Sequence, residues 1–271
     1  MKTIMKWTMI ALGGLITLFL LAGAALYPSG VKKLTRTYPD FSIETVNIPA
    51  NAQAVAHGRH VAIVWGCTKC HGEVLSGTLL TNDAILGTIP APNLTSGKGG
   101  VGKSYSDTDW IRAIRYGVTP DRRGEAFMND YSTLSDQDLG DLIAYLKQVT
   151  PVDADYPATR FGPIVPIAPA VGLFTPAAEL IDHNAPRPED PVPGATIEYG
   201  RYLYSICSEC HGTSLAGKLE NWKQEDFMRA LQTGVLPDGK RLTPAMPLKT
   251  YGQMNDMELA ALWLYLMDSR P

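Results

Sequence analysis

The chain has 271 residues, 45% of them hydrophobic and 19% charged, with a formal net charge of −3. That length and composition describe a globular protein of roughly two ordinary domains and exclude a disordered or low-complexity chain. Charge is unevenly placed: residues 1–36 hold five basic side chains and no acidic one, leaving 19 basic against 27 acidic residues in the remainder. A body with a net charge of −8 is poorly suited to nucleic acid and favours a partner with a basic docking face.

The first predicted element is an uncharged apolar run from Trp7 to Tyr27, preceded by Lys2 and Lys6. As a helix, 21 residues at 1.5 Å each reach about 31 Å, enough to cross the hydrocarbon core of a bilayer. A cleaved signal peptide competes, with Ala22-Gly23-Ala24 as its cleavage site, but its apolar region is usually shorter. The run is therefore expected to remain as an anchor. Lys32, Lys33 and Arg36 flank its far end, so flanking charge does not orient it.

A helix predicted from about residue 52 leads into Cys67-Thr68-Lys69-Cys70-His71, and the same spacing recurs as Cys207-Ser208-Glu209-Cys210-His211. These two pentapeptides use all four cysteines of the chain. C-x-x-C-H is the attachment pattern of c-type haem: two thiols one helical turn apart add to the two vinyl groups, and the following histidine sits under the iron. Zinc would need four ligands in one place, and each copy offers two sulfurs and one histidine. A thioredoxin-type pair has no use for the adjacent histidine, and a disulfide framework would not repeat this spacing. The pattern predicts two covalently bound haems c, held by Cys67, Cys70 and His71 and by Cys207, Cys210 and His211.

Aligning the motifs exposes a longer repeat. Gly58-Arg59-His60 matches Gly200-Arg201-Tyr202, and the stretch 109–118 matches 226–235. Each repeat reads as three helices. The second opens at Ser106-Asp107 or near Lys223 and stops at Gly117 or Gly234. The third follows the N-cap sequences at Ser135 and Asn255, with Leu139, Leu142, Ile143 and Leu146, or Leu259, Leu262, Trp263 and Leu266, forming a core stripe. Gly58 and Gly200 are expected to let the first helix cross closely against Tyr145 or Tyr265 of the last. Residues 151–193 hold ten of the twenty prolines, which excludes a long helix there. Its apolar residues, such as Ile164, Val165, Ile167 and Phe174, suit an extended strap over the domains more than a disordered linker.

The second ligand of each iron decides between electron carriage and catalysis. Methionine gives a six-coordinate, higher-potential carrier. Met128 is the one methionine after the motif in the first repeat, and Met246, in Pro244-Ala245-Met246-Pro247, takes the matching inter-helix position in the second. The metal ligands are thus expected to be His71 with Met128 and His211 with Met246. Met228 and Met267 fall inside helices as core, and Met254 and Met257 lie beside the start of the last helix. His57, His60 and His183 are expected as surface or packing residues, with His60 or His183 as substitutes for Met128 in a mobile loop. Arg112, Arg115 and Arg229 either meet haem propionates or line a solvated face.

With Gly58-Arg59-His60, CTKCHG, Ala91-Pro92-Asn93-Leu94-Thr95, Tyr105-Ser106-Asp107-Thr108-Asp109-Trp110, Tyr199-Gly200-Arg201-Tyr202-Leu203, CSECHG and Ala245-Met246-Pro247, the chain resembles the membrane-anchored dihaem cytochromes c of Gram-negative bacteria. The resemblance covers nearly the whole length. It implies a mainly α fold of two tandem mitochondrial-type cytochrome c domains with a Pro-rich strap and an N-terminal transmembrane helix. The boundaries are 1–36 for the anchor, 37–150 for domain 1, 151–193 for the strap and 194–271 for domain 2. It also implies electron transfer without catalysis, from a periplasmic dehydrogenase to a cytochrome or terminal oxidase, at the periplasmic face of the inner membrane. A dihaem peroxidase is the alternative, since it needs one open iron. Two departures stand out: Asn129 follows Met128 where relatives usually carry proline, and the second repeat lacks the Asn-Leu-Thr segment, with only Thr213 to Asn221 before its second helix. A more exposed haem edge is expected on that side.

Overall fold

A computed structural model describes residues 2–212 and 215–269. Thr213, at the start of the short stretch expected to expose the second haem edge, lies outside them. The chain is mainly helical. It opens with α1 (Lys2–Leu34), α2 (Ala52–Val64) and α3 (Cys67–His71), followed by strands β1 (Thr78–Asp83) and β2 (Gly87–Ala91). Helices α4 (Asp107–Tyr116) and α5 (Asp136–Leu146) come next, then β3 (Arg160–Phe161), α6 (Ile167–Ala170) and α7 (Ala177–Leu180). The remainder is α8 (Ile197–His211), α9 (Leu215–Lys218), α10 (Gln224–Thr233), α11 (Leu248–Tyr251) and α12 (Asp256–Asp268).

Helix α1 extends seven residues beyond the apolar run and carries Pro28 inside it. Its first part exposes Ile4, Trp7, Leu18 and Phe19, each more than 60% accessible. The window is long and apolar enough to cross a membrane by length and composition, a test that signal sequences also pass. Its last turns behave differently. Leu34 is buried, and a Cβ on Gly30 would lie 1.6 Å from the Pro166 carbonyl, so α1 packs backbone to backbone on the segment leading into α6.

The helical repeat is present with local differences that the residues explain. In the first copy Gly66 takes a left-handed conformation (φ 80°) and separates α2 from α3. Ile206 stands at that place in the second copy, and α8 runs through its motif unbroken. Helix α4 is closed by the Ser106–Asp109 capping box and by left-handed Gly117, while α12 is opened by the Asn255–Glu258 box. The helices pack as two crossing pairs, α2 on α5 and α8 on α12. Each crossing is set by a glycine: a Cβ at Gly58 would sit 1.8 Å from the Asp141 carbonyl, and one at Gly200 would sit 2.0 Å from that of Ala261. The nearest neighbours at Gly58 are backbone atoms of Asp141 and Leu142, and Gly200 meets Cβ of Tyr265 as well as backbone.

A single apolar core runs through both copies, from Val61, Trp110, Leu139 and Ile143 to Leu203, Phe227, Leu259 and Leu266. A small antiparallel sheet in the order β1-β2-β3, not among the elements expected of the mainly α fold, lies beside the first motif. Its β1–β2 turn is closed by Asp83 Oδ1, which accepts from the amides of Ile85 and Leu86, both at 2.7 Å. Residues 151–193 hold no long helix; β3, α6 and α7 are separated by turns, bends and irregular backbone.

Candidate haem sites

The first motif opens onto a cavity of about 400 Å³, within the roughly 300–1,000 Å³ typical of cofactor sites. Cys67, Cys70 and His71 stand on its wall, as do Met128, Trp110 and Leu142. Met128 and the cysteine motif thus border one space, although they come from different elements. Burial raises the thiol of Cys67 to about 12 and also pushes that of Cys70 up. A thioredoxin-type pair needs a lowered thiol pKa, so the environment opposes that reading. Among the described residues, no group of three or more His, Cys, Asp and Glu is arranged to hold a metal ion.

His71 is held by its backbone surroundings. Its Nδ1 lies 2.8 Å from the Pro92 carbonyl, which can only accept, so Nδ1 carries the proton and Nε2 keeps its lone pair. Burial lowers the pKa of this imidazole and favours the neutral, ligating form. Pro92 is fixed in turn by Asn93, which is 1% exposed, accepts from the Thr95 amide at 2.9 Å and donates to the Val152 carbonyl at 2.8 Å. The Val152 amide donates to Thr95 Oγ1 at 3.0 Å, and the Tyr156 hydroxyl donates to the Gly77 carbonyl at 2.7 Å. The start of the Pro-rich segment therefore braces the loop that orients His71. The sequence singles out Ala91-Pro92-Asn93-Leu94-Thr95 through the resemblance and the Pro-rich segment as a strap, but not which residues of the two meet.

The loop carrying Met128 lacks the stiffening proline, but aromatic packing fastens it. Phe127 stacks on Phe174 at 5.9 Å and meets Phe161 edge-on at 6.2 Å. On the other side of Met128, the Tyr131 hydroxyl donates to the Trp65 carbonyl at 3.0 Å. Glu125 also lines this cavity, and burial together with the nearby Asp121 raises its carboxyl to about 7.

In the second copy Cys207, His211 and Met246 line one smaller apolar cavity of about 30 Å³, with Phe227, Leu262 and Leu266. Burial pushes Cys207 up to about 12, while Cys210 is exposed. Met254 also borders this space, whereas Met228 and Met267 pack into the core as expected.

The remaining candidates are engaged elsewhere. His57 Nδ1 lies 2.8 Å from Asp141 and His60 Nε2 lies 2.8 Å from Glu258. His183 stacks on Phe41 at 4.7 Å, and none of the three histidines lines either cavity. Arg115, 3% exposed, pairs with Asp136 at 2.7 Å and donates to the Leu134 carbonyl, while Arg112 and Arg229 pair with Asp109 and Asp226 on their own helices. These arginines serve helix packing and capping rather than the cavities.

The residues of the first cavity fit a haem. Beside the thiols and a neutral imidazole, the buried Trp110 carries an indole N–H with no partner on the cavity wall. Such an orphan donor suits a bound group that brings acceptor oxygens. The second site offers one thiol, an imidazole and a thioether around an apolar space of about 30 Å³, with the exposed Cys210 outside its wall.

Residues 55–150 match the family model for cytochrome c. The chain is 28% identical over 213 residues to the fructose dehydrogenase cytochrome subunit of Gluconobacter japonicus, covering 69% of this chain and 43% of that protein. It is 32% identical over 187 residues to the gluconate 2-dehydrogenase cytochrome c subunit of Pantoea cypripedii, covering 60% and 38%. It is also similar to the cytochrome c subunit of the quinone alcohol dehydrogenase of Gluconobacter oxydans, at 27% over 129 residues, 37% of this chain and 26% of that one. The chain spans less than half the length of these relatives. A cytochrome c domain implies covalently bound haem c.

Proposed function

From a chain that carries a cytochrome c domain and fits the family of cytochrome c subunits of bacterial dehydrogenases, we propose a dihaem electron carrier. In this reading two tandem cytochrome c domains, 37–150 and 194–271, are joined by a Pro-rich strap over 151–193. Residues 1–36 anchor them to the inner membrane with both domains in the periplasm. Cys67 and Cys70 hold one haem and Cys207 and Cys210 the other. His71 with Met128 would hold one iron, and His211 with Met246 the other. The haem supplies a one-electron couple; the chain supplies its attachment, its axial donors and a dry apolar wall. The donor is a periplasmic dehydrogenase and the acceptor a cytochrome or terminal oxidase.

The observation that carries this reading is that Met128 and the first motif border one cavity, and that Met246 and the second motif border another. A thioether and an imidazole on one cavity wall would fill the positions of an iron held there, which suits outer-sphere transfer and disfavours the peroxidase alternative, since peroxide must bind an open iron. The Phe127 packing supports Met128 as a fixed ligand. Haem content per chain and the sulfur-to-iron absorption band of Met246→Ala test it. Two haems are expected, with about half of the band lost if two methionines contribute to it. One haem per chain, or an unchanged band, overturns the assignment.

A further inference from the structure

Helix α11 is a single turn placed between the two cavities, and Tyr251 is the residue common to both walls. The sequence puts it there through Met246: Pro247 follows that methionine, and its carbonyl accepts from the amides of Thr250 and Tyr251 at 3.0 and 3.1 Å. Thr250 is 4% exposed, so the turn is seated in the core. On the side of the first motif, α11 packs against α2, and Lys249 lies 3.5 Å from Glu73, two residues beyond His71. The turn is thus tied to the methionine loop of one site and to the cysteine motif of the other. The other aromatic contact across the seam, Trp65 against Tyr202 at 5.4 Å, reaches only one site: Trp65 is on the first cavity wall and Tyr202 is absent from the second.

We propose that Tyr251 is the inter-haem contact, its ring coupling the two iron centres; this rests on the two-haem reading above. With both haems bound, one electron would pass from the ferrous iron of one site to the ferric iron of the other, oxidising the first and reducing the second. No bond forms or breaks, no proton moves, and the phenol is neither oxidised nor reduced. The ring acts by filling the gap with packed, polarisable atoms, through which tunnelling decays less steeply than through a void.

The experiment uses the full chain carrying its haems and compares Tyr251→Phe, Tyr251→Leu and Tyr202→Leu. One electron is delivered by flash reduction, and the rate of its transfer between haems is followed together with both midpoint potentials and haem content. Tyr251→Leu should slow transfer severalfold at unchanged potentials, while Tyr251→Phe and Tyr202→Leu keep the wild-type rate. Should the leucine variant lose haem, Tyr251→Val, which likewise leaves part of the gap empty, is read in its place. Two haems with an unchanged rate in the ring-less variant overturn the role of Tyr251 alone. A single haem in the wild-type chain overturns the two-haem reading itself.

Discussion

His60 and Glu258 meet at 2.8 Å, and the repeat-equivalent positions, Tyr202 and Asp138, meet at 2.5 Å in the opposite sense. Each pair joins the first helix of one copy to the N3 position of the last helix of the other. The seam between the copies is therefore self-complementary, as in an isologous contact between two subunits, although here the copies lie on one chain. Glu258 serves twice, since its second oxygen accepts from the Asn255 amide at 2.8 Å within the capping box. The bond to Glu258 raises the pKa of His60 against the opposing effect of burial.

The sign of the resulting pH dependence follows from that shift. A histidine raised above its ordinary 6.5 in the folded state contributes stability fully below pH 6.5 and loses it as pH rises through the folded value. His60→Ala should cost about 1 kcal/mol at pH 6, the scale of one charge-assisted pair, and progressively less in alkaline buffer. Thermal unfolding of both proteins across pH 5.5–9, a range of about three units around the histidine region, measures the difference. Equal differences at both ends would exclude the ion pair as its source.

The glycines at the helix crossings should tolerate no side chain. Gly58→Ala and Gly200→Ala each force a Cβ to within 2.0 Å of a backbone carbonyl, and only separation of the helices relieves it. Each change is expected to cost on the order of 3 kcal/mol. Alanine at Gly217, where nothing lies within 4 Å, is the matched control and should be nearly silent in the same denaturant titration.

Phe174→Ala removes the ring stacked on Phe127 and should loosen the Met128 loop without touching either motif. A cost of about 3 kcal/mol is the upper end for a ring only partly enclosed. The sharper readout is carbon monoxide binding to the reduced protein. Wild type should bind it slowly or not at all, and the variant should bind it at one haem. Resistance of the variant equal to wild type would mean that Met128 is held by something other than this packing.

Glu125 supplies a second pH effect of opposite origin. Its carboxyl is raised from 4.5 to about 7 by burial and Asp121, so the charged form is the disfavoured one. Stability is fullest with the acid protonated, below pH 4.5, and falls as pH climbs through 7. Glu125→Gln, which is neutral throughout, should therefore stabilise the protein by on the order of 2 kcal/mol at pH 8 and far less at pH 5. Melting curves at those two values check it, and a uniform gain would show that the charge is not the cause.

What was legible in the sequence was what short-range chemistry dictates. The caps at Ser106, Ser135 and Asn255, the stop glycines Gly117 and Gly234, and the stripe through Leu139, Leu142 and Ile143 all stand where periodicity put them. That Met128 and Met246 share a cavity wall with residues of the cysteine motifs could be anticipated for the same reason, since a five-residue pattern and an inter-helix position need no long-range information. The rest depends on partners far along the chain. The β1–β2 hairpin is brief and half exposed, so its alternation is weak. Asn93 finds Val152 59 positions away, and His60 finds Glu258 at a separation of 198. A proline-dense stretch announces that it is not a long helix, but not that it braces the loop behind His71 or stacks on Phe127.

Helix α1 has a mechanical consequence. Leu34 and Thr35, at its end, form part of the wall of the first cavity, and Gly30 is locked against Pro166. From Leu21, near the end of the exposed apolar stretch, to Leu34 the helix advances 13 residues, or about 20 Å at 1.5 Å each. With no flexible tether in between, the helix works as a fixed-length mast. Whatever surface takes up residues 4–21 sets the height and tilt of the first haem site above it. In the membrane-anchored reading proposed above, a redox partner meets that site by moving along the surface, searching in two dimensions, and its own reach above the surface decides whether the encounter succeeds.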